Sequence, residues 1–256
     1  MNDPIAKAMW VIETFQITDI PALSLKKIAE KESIICRFID FPDDTWLAGM
    51  LLYKRQKRKI IVNTHIPSPG RHNFTFAHEL GHYFMKHPPG LFFDGQSGFK
   101  CTGDDIEKEQ KPRETEANKF AAELLMPENR FKFDMIGADI DFTLINSLSN
   151  LYMVSKHACS NRILFFTTTP CIIIRTRGQM ITGYCESCAA RGFLKKMNTV
   201  PDDTFAYNVI TNQQWQYDFI KSNSENWLIR AIPGNKVYEC THFSKESSTA
   251  MTILKW

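Results

Sequence analysis

The sequence lacks the features that commit a protein to a membrane or to nucleic acid. Its net charge is only +3 over 256 residues, which gives no general electrostatic reason to bind either one. It has no apolar run of the roughly 20 residues that span a bilayer. Charged residues interrupt the apolar N-terminus at Asp3, Lys7 and Glu13, so we predict no signal peptide. We therefore expect no membrane partner and no direct nucleic-acid binding.

The sequence also lacks the cysteine pattern of a secreted protein. Its seven cysteines are an odd number and follow no secretion signal, a combination that favours reduced thiols. We therefore expect a cytoplasmic location. Apolar residues make up 43% of the chain, which is enough for a sizeable core in one large domain or two smaller ones.

Short periodic segments predict an α+β arrangement in the first half of the chain. The predicted elements are helices over residues 4–15 and 22–31 and strands over residues 34–41, 46–53 and 60–62. We expect the strands to form a small antiparallel sheet that leads into a helix around residue 78. A polar loop over residues 94–111 then precedes a second helix, residues 112–125, which Pro127 stops.

Residues 78–82 read H-E-x-x-H. Residues four positions apart lie on one face of a helix, so His78 and His82 can direct two imidazoles at one ion. Glu79 is one position round and can reach a water molecule on that ion without being a ligand. This layout is typical of zinc peptidases, in which the metal acidifies the water and the glutamate accepts its proton. The apolar flanks make both histidines costly to bury without a partner, which favours metal binding over a chance match.

A catalytic zinc ion needs a third protein ligand besides the two histidines. The metzincin pattern is absent, because Pro88 stands six residues after His82, where that class has a histidine. The candidates are carboxylates of the second predicted helix: Glu114, Glu116 and Glu123. On a helical wheel Glu114 lies about 60° from the centre of the apolar face and Glu116 about 100°. The wheel favours Glu114 with Glu116 as runner-up, and a solvated glutamate near the helix start is the alternative for each.

Two separated motifs resemble the ImmA/IrrE metallopeptidase family. One is R-x-x-F-T-x-A-H-E-L-G-H over residues 71–82, and the other is E-x-x-A-N-x-F-A-x-x-L-L-M-P over residues 114–127. The strand just before the first motif is also similar. The segment V-S-x-x-A at residues 154–158 looks like the start of the family's helix-turn-helix-like segment. The resemblance covers the chain from about residue 20 to residue 166.

The resemblance implies a zincin-like, gluzincin-like catalytic domain over residues 1–166, with a helix-turn-helix-like helical segment at about residues 128–163. It implies one catalytic Zn2+ held by His78, His82 and Glu114, with Glu79 as the general base. Members of the family typically cut a repressor or partner protein encoded nearby and so release transcription. We therefore expect an endopeptidase whose narrow protein substrate is a DNA-binding repressor or an antitoxin-like regulator.

Two readings of the function remain beside a simple repressor-cleaving peptidase. One is an anti-repressor or toxin–antitoxin-like module that uses the same chemistry. The other is a zinc-stabilised regulatory protein that binds a transcription factor without cleaving it. The intact Glu79 favours an enzyme, because a structural zinc site needs no base. Arg71 and Tyr83 are both candidates for stabilising the oxyanion of a peptidase, although a structural salt bridge is the favoured role for Arg71.

The last third of the chain predicts a smaller β-rich accessory domain over residues 167–256. The predicted strands cover residues 171–175, 179–184, 205–210, 226–232 and 236–243. Cys185 and Cys188 form a C-x-x-C pair, and Cys240 and His242 follow far downstream. Together they could supply four ligands to a second, structural zinc ion. Ordinary buried or free thiols are the alternative, because the second pair has unusual spacing.

Overall fold

The chain forms two compact units, and each contains its own β-sheet. The structure is a computed structural model that describes residues 3–44, 46–65, 67–91, 97–102, 111–214, 218–230 and 232–256. The first unit comprises Met1–Ile136 and Ser147–Ala158, and the second comprises Gly137–Asn146 and Cys159–Trp256. The predicted α+β class is confirmed. Within these residues, no helix is both long enough and apolar enough to cross a membrane.

The described residues include eight α-helices, and the first four of them begin at a proline. Proline suits a first helical position because its φ is already near the helical value and its missing N–H has no partner there anyway. The helices are α1 (Pro4–Thr14), α2 (Pro21–Lys31), α3 (Pro69–Phe84), α4 (Pro112–Leu125), α5 (Glu128–Asp134), α6 (Phe142–Leu151), α7 (Lys156–Phe166) and α8 (Phe205–Thr211). The predicted helices near the N-terminus and after residue 111 are therefore confirmed.

The sheet of the first unit has five strands in the order β1-β3-β2-β5-β4. The strands are β1 (Ile34–Ile39), β2 (Leu47–Lys54), β3 (Lys57–Asn63), β4 (Gly90–Leu91) and β5 (Ser97–Thr102). The prediction of an antiparallel sheet is wrong for one pair, because β1 runs parallel to β3. The chain reverses direction between β1 and β2 and again in the β2–β3 hairpin, so β3 runs in the same direction as β1. The other side of β2 pairs with β5, which leaves β3 as the strand that β1 joins.

The prediction of a continuous polar loop over residues 94–111 is also wrong where β5 lies. Residues 97–102 pair with β2 along the sheet, and Phe99 and Cys101 of this strand are buried. Residues 94–96 and 103–110 of the predicted loop lie outside the described residues. The strand β5 matters for function because its buried side chains reach the face of α3 that bears the histidines.

Helices α3 and α4 approach each other closely at Gly81. A Cβ atom at this position would lie 3.1 Å from the Cα and the carbonyl oxygen of Ala117 and 3.1 Å from a ring carbon of Phe120. A Cβ atom here would be in tight contact with both residues, so glycine allows the two helices to pack this closely. The glycine inside the H-E-x-x-H motif is thus explained by packing, and it allows α4 to bring its carboxylates next to the two histidines.

The segment between α6 and α7 packs on the first turn of α3. A Cβ atom on Gly70 would lie 2.3 Å from the carbonyl carbon of Val154, and the Asn73 side chain donates to the carbonyl of Met153 at 2.9 Å. These contacts explain why residues 147–158 belong to the first unit. The region from residue 128 to residue 163, expected to be helical, contains α5, α6 and α7.

The sheet of the second unit is antiparallel throughout and has the order β7-β6-β10-β9-β8. The strands are β6 (Cys171–Arg177), β7 (Met180–Glu186), β8 (Ile220–Asn223), β9 (Lys236–Ser244) and β10 (Thr249–Lys255). One face of this sheet, which includes Ile172, Ile174 and Leu254, packs against α8 and the fully buried Trp227. The prediction of a β-rich C-terminal region is therefore supported, although four of its strands change.

Two of the predicted C-terminal strands are wrong, and two strands, β8 and β10, were missed. Residues 205–210 lie in α8, and residues 226–230 are a turn and irregular chain that follow β8; residue 231 of that predicted strand lies outside the described residues. The final strand, β10, was not predicted, yet it is the central strand of the sheet. The element boundaries for β6, β7 and β9 agree with the prediction to within two residues.

Candidate metal centre

The buried face of α3 carries the two histidines of the H-E-x-x-H motif. His78 and His82 are both 0% exposed, and their Nε2 atoms lie 3.0 Å apart. Their rings stand edge to face, with centroids 4.7 Å apart and an interplanar angle of 76°. The four-residue spacing therefore brings one nitrogen of each ring to the same point, as helical periodicity requires.

Helix α4 brings one carboxylate oxygen to this point. Glu114 Oε2 lies 3.2 Å from His78 Nε2 and 3.1 Å from His82 Nε2, and the side chain is almost completely buried. Three atoms bound to one tetrahedral zinc ion at about 2.0–2.1 Å lie about 3.3 Å apart. The two nitrogens and the oxygen form a triangle of nearly that size, so these three residues fit a zinc ion.

A hydrogen bond behind the His78 ring determines which nitrogen presents its lone pair. His78 Nδ1 lies 2.8 Å from Asn118 Oδ1, and an amide oxygen only accepts. His78 Nδ1 therefore carries the proton and donates it to Asn118, which leaves the Nε2 lone pair directed at Glu114 and His82. Asn118 is one turn beyond Glu114 on α4, so both groups lie on the helix face that meets α3.

Two further hydrogen bonds run behind the His82 ring. His82 Nδ1 lies 2.9 Å from His87 Nδ1, and His87 Nε2 lies 2.9 Å from Glu116 Oε2. A neutral His82 that presents its Nε2 lone pair carries its proton on Nδ1 and donates it to His87. His87 then carries its own proton on Nε2 and donates it to Glu116. Histidines that bind metals commonly donate their second N–H in this way, which fixes the ring orientation and the tautomer.

Burial lowers the pKa of His82, whereas hydrogen bonds lower the pKa of Glu114 against the effect of burial. Phe99 of β5 stacks on the His82 ring with centroids 4.1 Å apart and an angle of 15°. Burial lowers the pKa of His82 to about 4, a larger effect than the opposing influence of Glu114. Burial also tends to raise the pKa of Glu114, but hydrogen bonds with His78 and His82 outweigh it and hold that pKa well below the usual value. At neutral pH the site therefore offers a neutral imidazole at His82 and a charged carboxylate at Glu114, the forms that bind metals.

Glu79 lies beside this triangle and between α3 and the sheet. It is 0% exposed, and a Cβ atom built on Gly49 of β2 would lie 3.7 Å from Glu79 Oε1. Gly49 is paired with Cys101 of β5, and one donor atom each from Cys101, Glu79 and His78 lie within 4.8 Å of one another. The sheet thus holds the Glu79 carboxylate next to the histidine face of α3, the position that a general base requires.

The other two candidate carboxylates of α4 have different partners. Glu116, the runner-up ligand, pairs with His87, and its side chain is 43% exposed. Glu123 is buried and accepts a hydrogen bond from the backbone N–H of Glu128 at 2.9 Å. Glu114 is thus the member of the three that the fold brings to both histidines.

The side chain of Tyr83 contacts Glu32 at the end of α2, outside the triangle of His78, His82 and Glu114. Its hydroxyl donates to Glu32 Oε2 at 2.7 Å, and burial together with this hydrogen bond raises the pKa of Tyr83 to about 12. This contact makes Tyr83 a structural link between α3 and the end of α2.

The structure does not bring the four predicted ligands of a second zinc ion together. Cys185 lies on β7 and Cys240 on β9, three strand intervals apart, which corresponds to about 14 Å. Cys188 lies in an exposed turn after β7, while the ring of His242 on β9 packs against Phe142. Burial raises the pKa of Cys185 to about 12 and that of Cys240 to about 11. The fold therefore places Cys185 and Cys240 on strands that are not neighbours.

Four residues around the candidate metal centre were not predicted to take part in it: His87, Phe99, Cys101 and Asn118. Asn118 had a local signal, because it lies four residues after Glu114 on a predicted helix. His87 follows the end of α3 and had no periodicity to reveal it. Phe99 and Cys101 belong to a strand that was not predicted, so their approach to the histidines depends on tertiary pairing.

A family model described as the IrrE N-terminal-like domain, peptidase M78, matches residues 32–164. The matched region covers just over half of the chain and contains both motifs and all of the residues around the triangle. The chain belongs to this family. The resemblance expected from the sequence is therefore confirmed, and the protein is a member of a metallopeptidase family.

One solved structure has a fold similar to that of the present chain. It is described as a Mycobacterium tuberculosis transcriptional regulator and aligns with 98% of this chain and 75% of its own, at a TM-score of 0.60 and 14% identity. At this identity the similarity concerns the fold alone. Comparison with curated protein sequences gave no significant match.

Proposed function

We propose that this M78 family member is a zinc-dependent endopeptidase with a zincin-like catalytic domain. The observation that carries the proposal is the buried triangle of His78 Nε2, His82 Nε2 and Glu114 Oε2, with edges of 3.0–3.2 Å. The buried Glu79 carboxylate beside the triangle supports a catalytic site rather than a structural one, since a structural zinc site needs no base.

Each residue of the proposed site has a defined task. His78, His82 and Glu114 would hold the zinc ion, and Asn118, His87 and Glu116 orient the two rings. When bound, zinc supplies a Lewis acid that polarises the scissile carbonyl and acidifies a water molecule. Glu79 accepts the proton of the attacking water on its carboxylate and transfers it to the nitrogen of the leaving amine. Phe99 excludes water from one face of His82.

We propose that the substrate is a protein that regulates transcription, such as a DNA-binding repressor or an antitoxin-like regulator. The similarity of both motifs to the ImmA/IrrE pattern supports a single cut in a partner encoded nearby. The description of the structural neighbour as a transcriptional regulator is consistent with a regulatory setting. In this proposal residues 1–166 act as the peptidase and residues 167–256 as an accessory domain.

We expect about one equivalent of zinc per chain in protein purified without added metal. The reason is that the described residues provide one triangle with the spacing of a zinc site, while the C-terminal cysteines are too far apart for a second. Elemental analysis measures the stoichiometry. Co-expression with the regulator encoded next to this protein, read as a size change on a gel, tests cleavage. Absence of any divalent metal, with no uptake on titration, would refute the catalytic proposal.

The second candidate is a regulatory protein that holds zinc and binds a partner without cleaving it. The name of the structural neighbour favours a regulatory role but says nothing of cleavage. The two candidates differ in one readout. A peptidase converts the partner to fragments in a reaction that a chelator stops, whereas a non-cleaving regulator forms a stable complex with an intact partner.

We expect His87→Ala to weaken zinc binding by about 10- to 100-fold, the usual cost of losing a partner that orients a metal ligand. The variant removes the acceptor at 2.9 Å from His82 Nδ1 and leaves the three proposed ligands unchanged. Competition with a chromophoric chelator measures the affinity. His87→Gln should recover part of it, because its amide oxygen can accept from His82 and its amide nitrogen can donate to Glu116.

A surface histidine provides the control for that experiment. His65 Nδ1 lies 3.0 Å from Asp40 Oδ1, and both side chains are substantially exposed. His65→Ala should therefore leave zinc affinity at the wild-type value. Equal affinities for His87→Ala and the wild-type protein would show that His87 does not orient the site.

A further inference from the structure

The thiol of Cys101 is a metal-binding group that the proposed reaction does not use. Cys101 lies on β5, is 0% exposed, and faces α3 beside the catalytic residues. One donor atom each from Cys101, Glu79 and His78 lie within 4.8 Å of one another. This set overlaps the zinc triangle at His78, so the structure holds two adjacent groups of metal donors that share one histidine.

The position of Cys101 follows from the strand register. Cys101 pairs with Gly49 of β2, and a Cβ atom on Gly49 would lie 3.7 Å from Glu79 Oε1. The missing side chain at Gly49 lets the Glu79 carboxylate sit against the sheet, where its direct neighbour in the next strand is the thiol. The pairing of Cys101 with Gly49 and the closeness of Gly49 to Glu79 therefore place the sulfur and the carboxylate near each other.

We propose that Cys101 and Glu79 form a second site for a soft divalent metal ion, and that an ion bound there inhibits the peptidase. His78 Nε2 is committed to the first ion, so the second ion has one thiolate and one carboxylate from the protein. Thiolate ligands select soft ions such as Cd2+ over hard ones such as Mg2+. With two protein ligands instead of three, the second ion should bind more weakly than the first.

Metal binding at this site releases the thiol proton of Cys101 and engages the carboxylate of Glu79. The thiol donates to the carbonyl of Thr102 at 3.6 Å, and metal binding replaces that weak bond by releasing the thiol proton to solvent. The second ion also occupies the Glu79 carboxylate, which in the proposed function must accept a proton from water. The inhibition part of the inference rests on that proposed function, whereas the binding part does not.

Cadmium titration of protein preloaded with one equivalent of zinc tests the binding. We expect the wild-type protein to bind a further cadmium ion and to develop an ultraviolet thiolate-to-cadmium charge-transfer band. Cys101→Ser should lose this band and bind the further ion at least tenfold more weakly, and Cys101→Ala should behave in the same way. Glu79→Gln should keep the band, because the thiol remains, but at weaker affinity.

Cys36→Ser is the matched control. Cys36 is a partly buried thiol of the same sheet, on β1, which is three strand intervals from β5. This variant should retain both the charge-transfer band and the wild-type cadmium affinity. In the cleavage assay, the cadmium concentration that halves each protein's own rate should be at least tenfold higher for Cys101→Ser than for the wild-type protein or Cys36→Ser.

The outcomes separate this inference from the proposed function. Uptake of the first zinc ion without any further cadmium, or an unchanged band in Cys101→Ser and Cys101→Ala, would overturn the second site and leave the peptidase proposal intact. Failure to bind the first zinc ion would overturn the peptidase proposal. A band lost in both Cys101 variants and kept in Cys36→Ser, with the predicted shift in inhibition, supports the inference.

Discussion

We expect Glu79→Gln to reduce cleavage of the partner protein by about 100- to 10,000-fold, the usual contribution of a positioned general base. Glutamine has the shape of glutamate but cannot accept the proton of the attacking water. Glu79 is 0% exposed and lies against Gly49, so an isosteric replacement is the one that the packing tolerates. Cleavage is measured by co-expression and by purified proteins at equal zinc occupancy.

The same variant separates loss of chemistry from loss of the site. His78, His82 and Glu114 are unchanged, so zinc content and thermal stability should remain close to wild type. Partner binding should persist and give a trapped complex of two intact chains. Equal turnover by the wild-type protein and the variant would exclude Glu79 as the base. No turnover by either one, with binding intact, would favour the non-cleaving regulator.

The elements that carry the candidate metal centre could be predicted because their signals are local. The H-E-x-x-H spacing places His78 and His82 on one helix face whatever the rest of the fold does. The second helix was predicted with the bounds that the structure shows, since a proline begins it and Pro127 follows its end. The wheel could rank Glu114 above Glu116, because the apolar face of α4 has to meet another helix.

The elements that were missed or misassigned depend on distant residues. Residues 205–211 read F-A-Y-N-V-I-T, which is rich in residues that favour strands. They form a helix because Thr204 caps it and because Glu239, far along the chain on β9, accepts hydrogen bonds from the backbone of Phe205 and Ala206. No local pattern could reveal a capping carboxylate more than thirty residues away.

The strand β5 was missed for a related reason. Residues 97–102 read S-G-F-K-C-T, a short segment inside a run rich in glycine and charge, with little strand propensity beyond Phe99. Pairing with β2 makes this segment a strand. Position 98 requires glycine, because a Cβ atom there would lie only 2.0 Å from the carbonyl oxygen of Leu51. The stacking of Phe99 on His82 and the proximity of Cys101 to Glu79 therefore became visible only with the tertiary structure.

We expect Glu114→Gln to abolish stable zinc binding. The loss of affinity should exceed the roughly 10- to 100-fold caused by removing a residue that only orients a metal ligand. The carboxylate oxygen at 3.1–3.2 Å from both Nε2 atoms supplies the charged member of the triangle. Hydrogen bonds with both histidines hold the pKa of Glu114 well below its usual value despite burial, so the carboxylate stays ionised and ready to bind metal at neutral pH. An amide oxygen carries no such charge. Elemental analysis after dialysis against a weak chelator measures the loss.

Glu116→Gln is the matched variant on the same helix, two residues away. Its amide oxygen can still accept from His87 Nε2, the contact made at 2.9 Å in the structure, so the orientation of His82 should persist. We expect near-normal zinc content and a zinc affinity within about tenfold of the wild-type value. That is the lower end of the loss seen when a group that orients a metal ligand is changed. Retained zinc in Glu114→Gln together with lost zinc in Glu116→Gln would reverse the assignment and make Glu116 the ligand. Because both variants change one atom of a glutamate on α4, the comparison isolates the position of the charge from any general effect on the helix.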